Sequence, residues 1–477
     1  MNIILVQPPD PVMPVVPLDS TYGDAVRFVP PWSLLCLRSY LLNKTKHRCD
    51  LVDCRLFSDI ESNYLETLRA VPEPRLVVVN TPSLSLGQAV AVAEMTKANF
   101  PATPVVLCGQ HPSKFPDRLG SIPHVDYAIA GDPEPVLKNL INFIDTDARL
   151  SRVQGLIKTG MFASGPSWLT DLRGLALPDW QGVFWPAYKA GPRQTGWRAK
   201  VRVSRGHTGQ PADRAFRHAG EPLRIWPLDR IAACMQRCAH QGVVEVFVDD
   251  PPGVWTPDRL RAWCMALRDE RNTQAWAFQT LPAAFSVETA TLLYSAGCRR
   301  MEILFPSSDA DILRRYGCDL HLHRIAAAVR ALHSAGIQVK ACFWLGGPEE
   351  GPGEVSRVVR ILRRLGFCHF SLKAFPFAFD APIYEDMPLN ESKPQIDTWL
   401  SWARHPWTEE RPIPLWGGKA AQAQISQSIE DIERAIARSP QRRLRRMINT
   451  IRSRNWILEM ENMALGLFMP QDKPKGG

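Results

Sequence analysis

The chain has 477 residues, too many for one ordinary core, so roughly two to four domains are expected. Hydrophobic content of 45% and charged content of 22% exclude a disordered or fibrous chain, and no apolar run is long enough to span a bilayer. The net charge is +9, concentrated in a C-terminal stretch (Arg438, Arg442, Arg443, Arg445, Arg446, Arg452 and Arg454) that holds no carboxylate. No nucleic-acid motif accompanies these arginines. They read first as a solvated helix face and second as a partner surface, and no nucleic acid is expected. Most of the eleven cysteines are isolated, which fits reduced thiols. The start, Met1-Asn-Ile-Ile-Leu-Val, reads as a strand with no basic leader before it, so a signal peptide is not expected and the expected compartment is the cytoplasm.

Residues 1–145 alternate short apolar runs with helical patterns. Strands are predicted at 3–6, 49–52, 76–80, 105–107 and 127–130, and helices at 32–42, 63–70, 87–99 and 134–143. That alternation predicts an open parallel sheet with its ligand at the carboxyl ends of the strands. The loops at those ends are Gln7-Pro8-Pro9, Val29-Pro30-Pro31, Asn80-Thr81-Pro82-Ser83-Leu84-Ser85, Cys108-Gly109-Gln110-His111-Pro112 and Gly131-Asp132-Pro133-Glu134.

Residues 146–200 are rich in Pro, Gly and Trp and read as an ordered connector. From 201 to 387, strands at 201–204, 243–249, 275–278, 300–305, 338–345 and 369–374 alternate with helices at 227–241, 257–270, 287–296, 322–335 and 353–365. Six such steps predict a partial (β/α)6 barrel, with its site at the carboxyl ends of the strands. Its landmarks are Phe247-Val248-Asp249-Asp250, Ser295-Ala296-Gly297-Cys298-Arg299-Arg300, the run from Phe343 to Glu350, and the run from Pro376 to Tyr384. Residues 388–477 are predicted to be helical, at 394–403 and from 420 to 463 with a break near Pro440.

These loops and landmarks, in this order, resemble the cobalamin-binding radical SAM family. The fold class implied is α/β: a Rossmann-like cobalamin-binding domain, a partial (β/α)6 TIM-type barrel and a helical C-terminal region. In that family the fourth and fifth loops read Gly-Gly-Pro-His-Pro and Gly-Glu-Gly-Glu. The resemblance implies a cobalamin pocket made by Pro9, Pro31, Thr81, Ser83, Ser85, Gly109, Gln110, His111, Gly131, Asp132 and Glu134. Glycines would let the backbone approach a flat corrin, and hydroxyls would bond the nucleotide tail. The lower-axial motif Asp-x-His is missing, since Val52-Asp53-Cys54-Arg55-Leu56 contains no histidine. Cobalamin is therefore expected base-off, with His111 lining the pocket rather than binding cobalt.

The cluster segment departs further. Where the family has Ser-Arg-Gly followed by Cys-x3-Cys-x2-Cys, this chain has Ser204-Arg205-Gly206 followed by His207, Pro211 and Arg214 at the three cysteine positions. Proline offers no ligand atom and arginine stays protonated, so no [4Fe–4S] cluster is expected there. The SAM-contacting strand ends have changed too, to Phe278-Gln279-Thr280-Leu281 and Leu304-Phe305-Pro306-Ser307-Ser308, which argues against SAM held in the family's way. Cys234, Cys238 and His240 fall on one helix and lack the further ligand that a metal site needs. Gly206-His207-Thr208-Gly209 lacks the lysine and hydroxyl of a phosphate loop. His207, Asp249 and Asp250 remain the candidates for any catalysis.

Three functions follow, in order of preference. The first is a cobalamin-binding pseudoenzyme acting as accessory or regulatory partner to a cluster-bearing radical SAM protein. The second is a cobalamin-dependent methyltransferase or cyclase working without SAM radical chemistry. The third is a cobalamin-responsive regulator.

Overall fold

The computed structural model describes residues 1–11, 29–73, 75–119, 122–144, 147–188, 196–207, 221–283, 285–315, 317–318, 321–347, 350–351, 353–367, 369–374, 405 and 418–437. The expected helix at 394–403, the run from Pro376 to Tyr384, cluster positions Pro211 and Arg214, and the arginine stretch lie outside the described residues.

The first sheet contains β1 (Asn2–Gln7), β2 (Arg48–Asp53), β3 (Arg75–Asn80), β4 (Val105–Cys108), β5 (Tyr127–Ile129) and β6 (Leu156–Lys158). Its order is β2-β1-β3-β4-β5-β6, and every pair is parallel except β5–β6. Both faces are buried, which explains the nearly unbroken apolar strands. Ile4, Val6, Val77 and Val79 enter one core under helices Ile60–Ala70 and Leu86–Asn99. Ile3, Leu5, Leu76 and Val78 enter another under helices Trp32–Lys44 and Pro133–Phe143. The order reverses between β1 and β3, which opens a crevice at the carboxyl ends of these strands.

β6 lies inside the expected connector and closes one edge of this sheet. The rest of that connector wraps across to the barrel, where Trp180 packs between Trp32 and Trp185 with ring centroids 6.0 and 5.8 Å away.

The second sheet holds β7 (Trp197–Val201), β10 (Val243–Val248), β11 (Ala275–Thr280), β12 (Cys298–Phe305), β13 (Gln338–Leu345) and β14 (His369–Ala374) in chain order, all parallel. It is an open half-barrel. Side chains such as Val246, Phe278, Ile303, Phe343 and Leu372 face the helices, and the intervening residues face the lumen. The first barrel strand ends at Val201 rather than Ser204, which corrects the expected span 201–204. Beyond it β8 (Ser204–Arg205) pairs antiparallel with β9 (Arg224–Ile225), because the chain must turn back from the strand end to reach the next helix. Helix Gly418–Ala437 packs on helix Glu354–Leu365, burying Ile425, Ile429, Ile432 and Ile436. No helix among the described residues is long and apolar enough to cross a membrane.

Candidate functional site

The carboxyl ends of the two sheets face each other across a cavity of about 500 Å³. Its first wall comes from the N-terminal sheet: Asn80, Pro82, Gly109, Gln110 and Gly131, with Leu34 and Leu37 of helix Trp32–Lys44. A hydrogen-bond lace holds this wall. Asn80 donates to Gln7 Oε1 at 2.8 Å, joining the ends of β3 and β1. The Ser113 hydroxyl donates to the Gly109 carbonyl at 2.7 Å and accepts from the Gly131 amide at 2.8 Å, joining the loops after β4 and β5. Gly131 has φ +99°, and a Cβ there would lie 2.0 Å from the Ser167 carbonyl oxygen, so only glycine fits.

The opposite wall is charged. It is formed by Arg202, Arg205 and Gly206 after β7, Asp249 and Asp250 after β10, Gln279 on β11, and Glu221. Asp250 is a brace: its carboxylate accepts from the Val203 and Ser204 amides at 2.8 Å each and from the Ser204 hydroxyl at 2.5 Å. Asp249 receives Arg202 at 2.9 Å and Lys200 at 3.5 Å. Both candidate acids therefore stand at the barrel mouth, with Asp250 committed to holding the Ser-Arg-Gly segment.

Two arginines tie the walls together. Arg205 places one guanidinium nitrogen 2.5 Å from Glu134 Oε1 and the other 2.8 Å from Asp132 Oδ1. Arg224 pairs with Asp132 and with Glu221, the latter at 3.0 Å. The local sequence prepares Glu134 for this. It lies in the first turn of helix Pro133–Phe143, with proline at the start, where an acid is favoured by the helix dipole. The carboxylates of Asp132 and Glu134 are thus engaged across the domain boundary as well as lining the cavity.

Of the expected pocket residues, Gly109, Gln110, Gly131, Asp132 and Glu134 come together on the cavity. Thr81 is fully buried, and its hydroxyl donates to the Val79 carbonyl at 3.0 Å. His111 is buried with its ring against Phe115, 5.1 Å between centroids, and is not among the cavity-lining residues. Pro9, Pro31, Ser83, Ser85 and His207 also lie off the lining; His207 forms a bridge with Pro222. At the missing axial motif, Asp53 holds Arg55 at 2.6 Å and accepts from the Tyr188 hydroxyl at 3.1 Å, while burial pushes the Cys54 thiol up to about 12.

Sequence reasoning missed Arg202, Arg224, Ser113 and Trp168, which lines the cavity with its ring 5.4 Å from the Arg224 guanidinium. None stands in a recognisable loop motif; only the short run Leu223-Arg224-Ile225 carries a strand signal.

The cofactors that the fold family uses can be tested against these walls. The first wall carries the amide side chains of Asn80 and Gln110, and its carboxylates, Asp132 and Glu134, are held by arginines, an arrangement that suits a ligand rimmed with amides. Beside it the Ser83 hydroxyl is fully buried with no hydrogen-bond partner among the described residues, an orphan that the polar tail of such a ligand would satisfy. These residues fit cobalamin. They do not fit an iron–sulfur cluster. The chain has no cysteine between residues 201 and 220, and every cysteine among the described residues is buried without a disulfide. Burial raises the thiols nearest the cavity, Cys36 and Cys108, the latter to about 12, away from the thiolate form that iron needs.

No protein-family model and no curated protein matches the sequence. Solved structures do match the fold. The radical S-adenosylmethionine methyltransferase TsrM from Kitasatospora setae, with tryptophan substrate and a SAM analog bound, superposes with a TM-score of 0.68 at 17% identity, covering 92% of this chain and 90% of that one. TsrM with cobalamin and a [4Fe-4S] cluster bound gives 0.60 at 18% identity, over 78% and 75%. The cobalamin-dependent S-adenosylmethionine radical enzyme OxsB, with aqua-cobalamin and S-adenosylmethionine bound, gives 0.57 at 14% identity, over 91% of this chain and 61% of OxsB. At these identities the likeness is one of architecture: the chain has the fold of the cobalamin-dependent radical SAM enzymes.

Proposed function

We propose that this chain binds cobalamin between its two sheets and works without an iron–sulfur cluster, as an accessory or regulatory partner of a cluster-bearing enzyme. One observation carries the reading. The amide-lined wall of the cavity is present, with Arg202, Arg205 and Gly206 on the wall opposite, and the sequence from 201 to 220 contains no cysteine. Cobalamin would be held by Asn80, Gln110 and the backbone at Gly109 and Gly131, with Ser83 meeting its tail, and would supply a methyl-carrying or electron-accepting cobalt centre. The protein's own contribution is to shape the crevice and to fix the loops that surround it.

A second reading, a cobalamin-dependent methyltransferase or cyclase, is favoured by the continuity of the same cavity with Gln279 on the lumen side of the barrel, where a substrate would enter.

The test is spectroscopic. The full chain should bind hydroxocobalamin with a base-off spectrum, and Gln110→Trp, which fills the cavity from the first wall, should abolish binding. Wild type that shows no binding by equilibrium dialysis on the order of 10 μM removes the cobalamin reading. After anaerobic iron and sulfide reconstitution the protein should hold substoichiometric iron. About four irons per chain surviving gel filtration would falsify the cluster-free reading.

A further inference from the structure

Four of the fifteen tryptophans stand in one row that crosses from the first domain through the connector to the barrel. Trp32, Trp180, Trp185 and Trp197 follow one another with ring centroids 6.0, 5.8 and 6.0 Å apart. One end lies beside the cavity: Trp32 opens the helix whose Ser33, Leu34 and Leu37 line it. The other end reaches the surface. Trp197 is half-buried, and a Cβ placed on the exposed Gly242 would stand 2.9 Å from its ring. The three rings behind it are buried, so the row runs from the flank of the crevice to the outside through the interior.

A second aromatic run shows what packing alone gives. Trp255, Trp263, Trp276 and Phe278 succeed one another at 6.5, 6.1 and 5.3 Å, but every member is buried and the run ends inside the barrel core. The first row differs in joining a cavity to the surface.

Indole is among the most easily oxidised side chains, and an electron passes between aromatic rings at a rate that falls exponentially with their separation. Rings this close exchange electrons readily. Their surroundings favour passage over trapping. The Trp180 indole N–H donates to Cys234 Sγ at 3.3 Å, and burial pushes that thiol up to about 11, so it keeps its own proton and takes none. The indole nitrogens of Trp185 and Trp197 are buried without an acceptor among the described residues. A radical cation on these rings therefore keeps its proton, and its charge moves on instead of being fixed as a neutral radical.

We propose that Trp32, Trp180, Trp185 and Trp197 form an electron path between the crevice and the surface, which drains strong one-electron oxidants from the crevice. The oxidant is of hydroxyl-radical strength, the product of peroxide with a reduced metal centre. One electron leaves Trp32 and turns the hydroxyl radical into hydroxide. Trp180, Trp185 and Trp197 each give up an electron in turn to the ring before them, and no bond of the protein breaks. A soluble donor such as ascorbate returns the electron at Trp197. The source of the oxidant rests on the cobalamin reading; the path does not, and it is tested without that cofactor.

The experiment uses the full chain with a ruthenium polypyridyl photo-oxidant attached through Ser33→Cys, at the exposed cavity-lining position next to Trp32. The native cysteines among the described residues are buried, and peptide mapping verifies the labelled position. Flash oxidation in the presence of a nitroso spin trap should place the trap adduct on Trp197, read by mass spectrometry, and ascorbate should abolish it. Trp180→Phe should remove the adduct from Trp197 and leave the radical on Trp32. Trp185→Phe repeats that loss should Trp180→Phe fail to fold. Trp263→Phe, in the second run, should leave the Trp197 adduct at the level of the labelled parent. The path is overturned if the labelled parent gives no adduct on Trp197, if Trp180→Phe or Trp185→Phe keeps it in full, or if Trp263→Phe loses it equally. Hydroxocobalamin binding is measured on the unlabelled chain, so failure here is read separately from failure of the cobalamin proposal.

Discussion

Asp250 shows how a residue with the look of a catalyst can be a structural one. As one of two adjacent acids at a strand end it invites an acid–base reading from sequence, yet its oxygens are occupied by two amides and a hydroxyl. Asp250→Ala leaves buried donors unsatisfied and should cost about 3 kcal/mol or more by urea unfolding. A destabilisation under about 0.5 kcal/mol would return Asp250 to the list of free acids. Glu354 makes a second prediction. Burial, reinforced by Glu350, raises its pKa from 4.5 to about 7, against the Gly346 amide that donates to it at 3.1 Å. The folded state then holds a proton that the unfolded chain releases. Its contribution to stability is complete below pH 4.5 and lost as pH rises to about 7. Glu354→Gln should flatten that part of the stability profile, as seen in melting temperatures across the range; an unchanged slope would refute the assignment. The sequence could flag Asp250 and not Glu354, because what raises Glu354 is chiefly its burial, which no local motif announces.

Among the elements, the strands and helices were legible almost throughout, because sheets buried on both faces give dense apolar runs that periodicity detects. Three strands, and the short helices Gln110–Lys114, Asp147–Leu150 and Ala310–Arg315, were not. β6 has three residues, and β8 and β9 have two each, too short for any pattern to rise above composition. The pairing that matters most, Arg205 and Arg224 with Asp132 and Glu134, joins residues more than seventy positions apart, and no local signal could reveal it. Breaking one partner of such a buried set strands the others. Arg205→Met should cost about 3–5 kcal/mol, and Glu134→Gln added to it should cost much less than its own single effect. Additive effects in this double-mutant cycle would mean that the contact contributes little to joining the domains.

At the scale of the whole molecule, two domains meet through strand ends rather than through flat faces. Besides the arginine ties, Trp344 at the end of β13 packs against the apolar core beneath helices Ile60–Ala70 and Leu86–Asn99. The site was legible in part: the loops that form the first wall were predicted, whereas His111 lies behind the wall because buried packing, not loop membership, decides what faces the crevice. The strand end at Phe305 is also informative. Phe305 stacks on Phe343 at 4.6 Å and meets Phe367 edge-on, while Ser307 and Ser308 are bound to Glu350. Restoring the thiolates with His207→Cys, Pro211→Cys and Arg214→Cys should therefore allow a cluster to form yet leave SAM cleavage slow, measured as 5′-deoxyadenosine release under reducing conditions. Rapid release would show a SAM pocket kept in working order.

Each residue of the Ser204-Arg205-Gly206 segment has a structural task that needs no cluster. Ser204 belongs to Asp250, and Arg205 belongs to the opposite domain. Gly206 has φ +80°, with the Pro222 carbonyl oxygen 2.0 Å from where a Cβ would sit. A motif whose residues are all engaged in construction speaks for the architecture it holds together, and taken alone says little about chemistry.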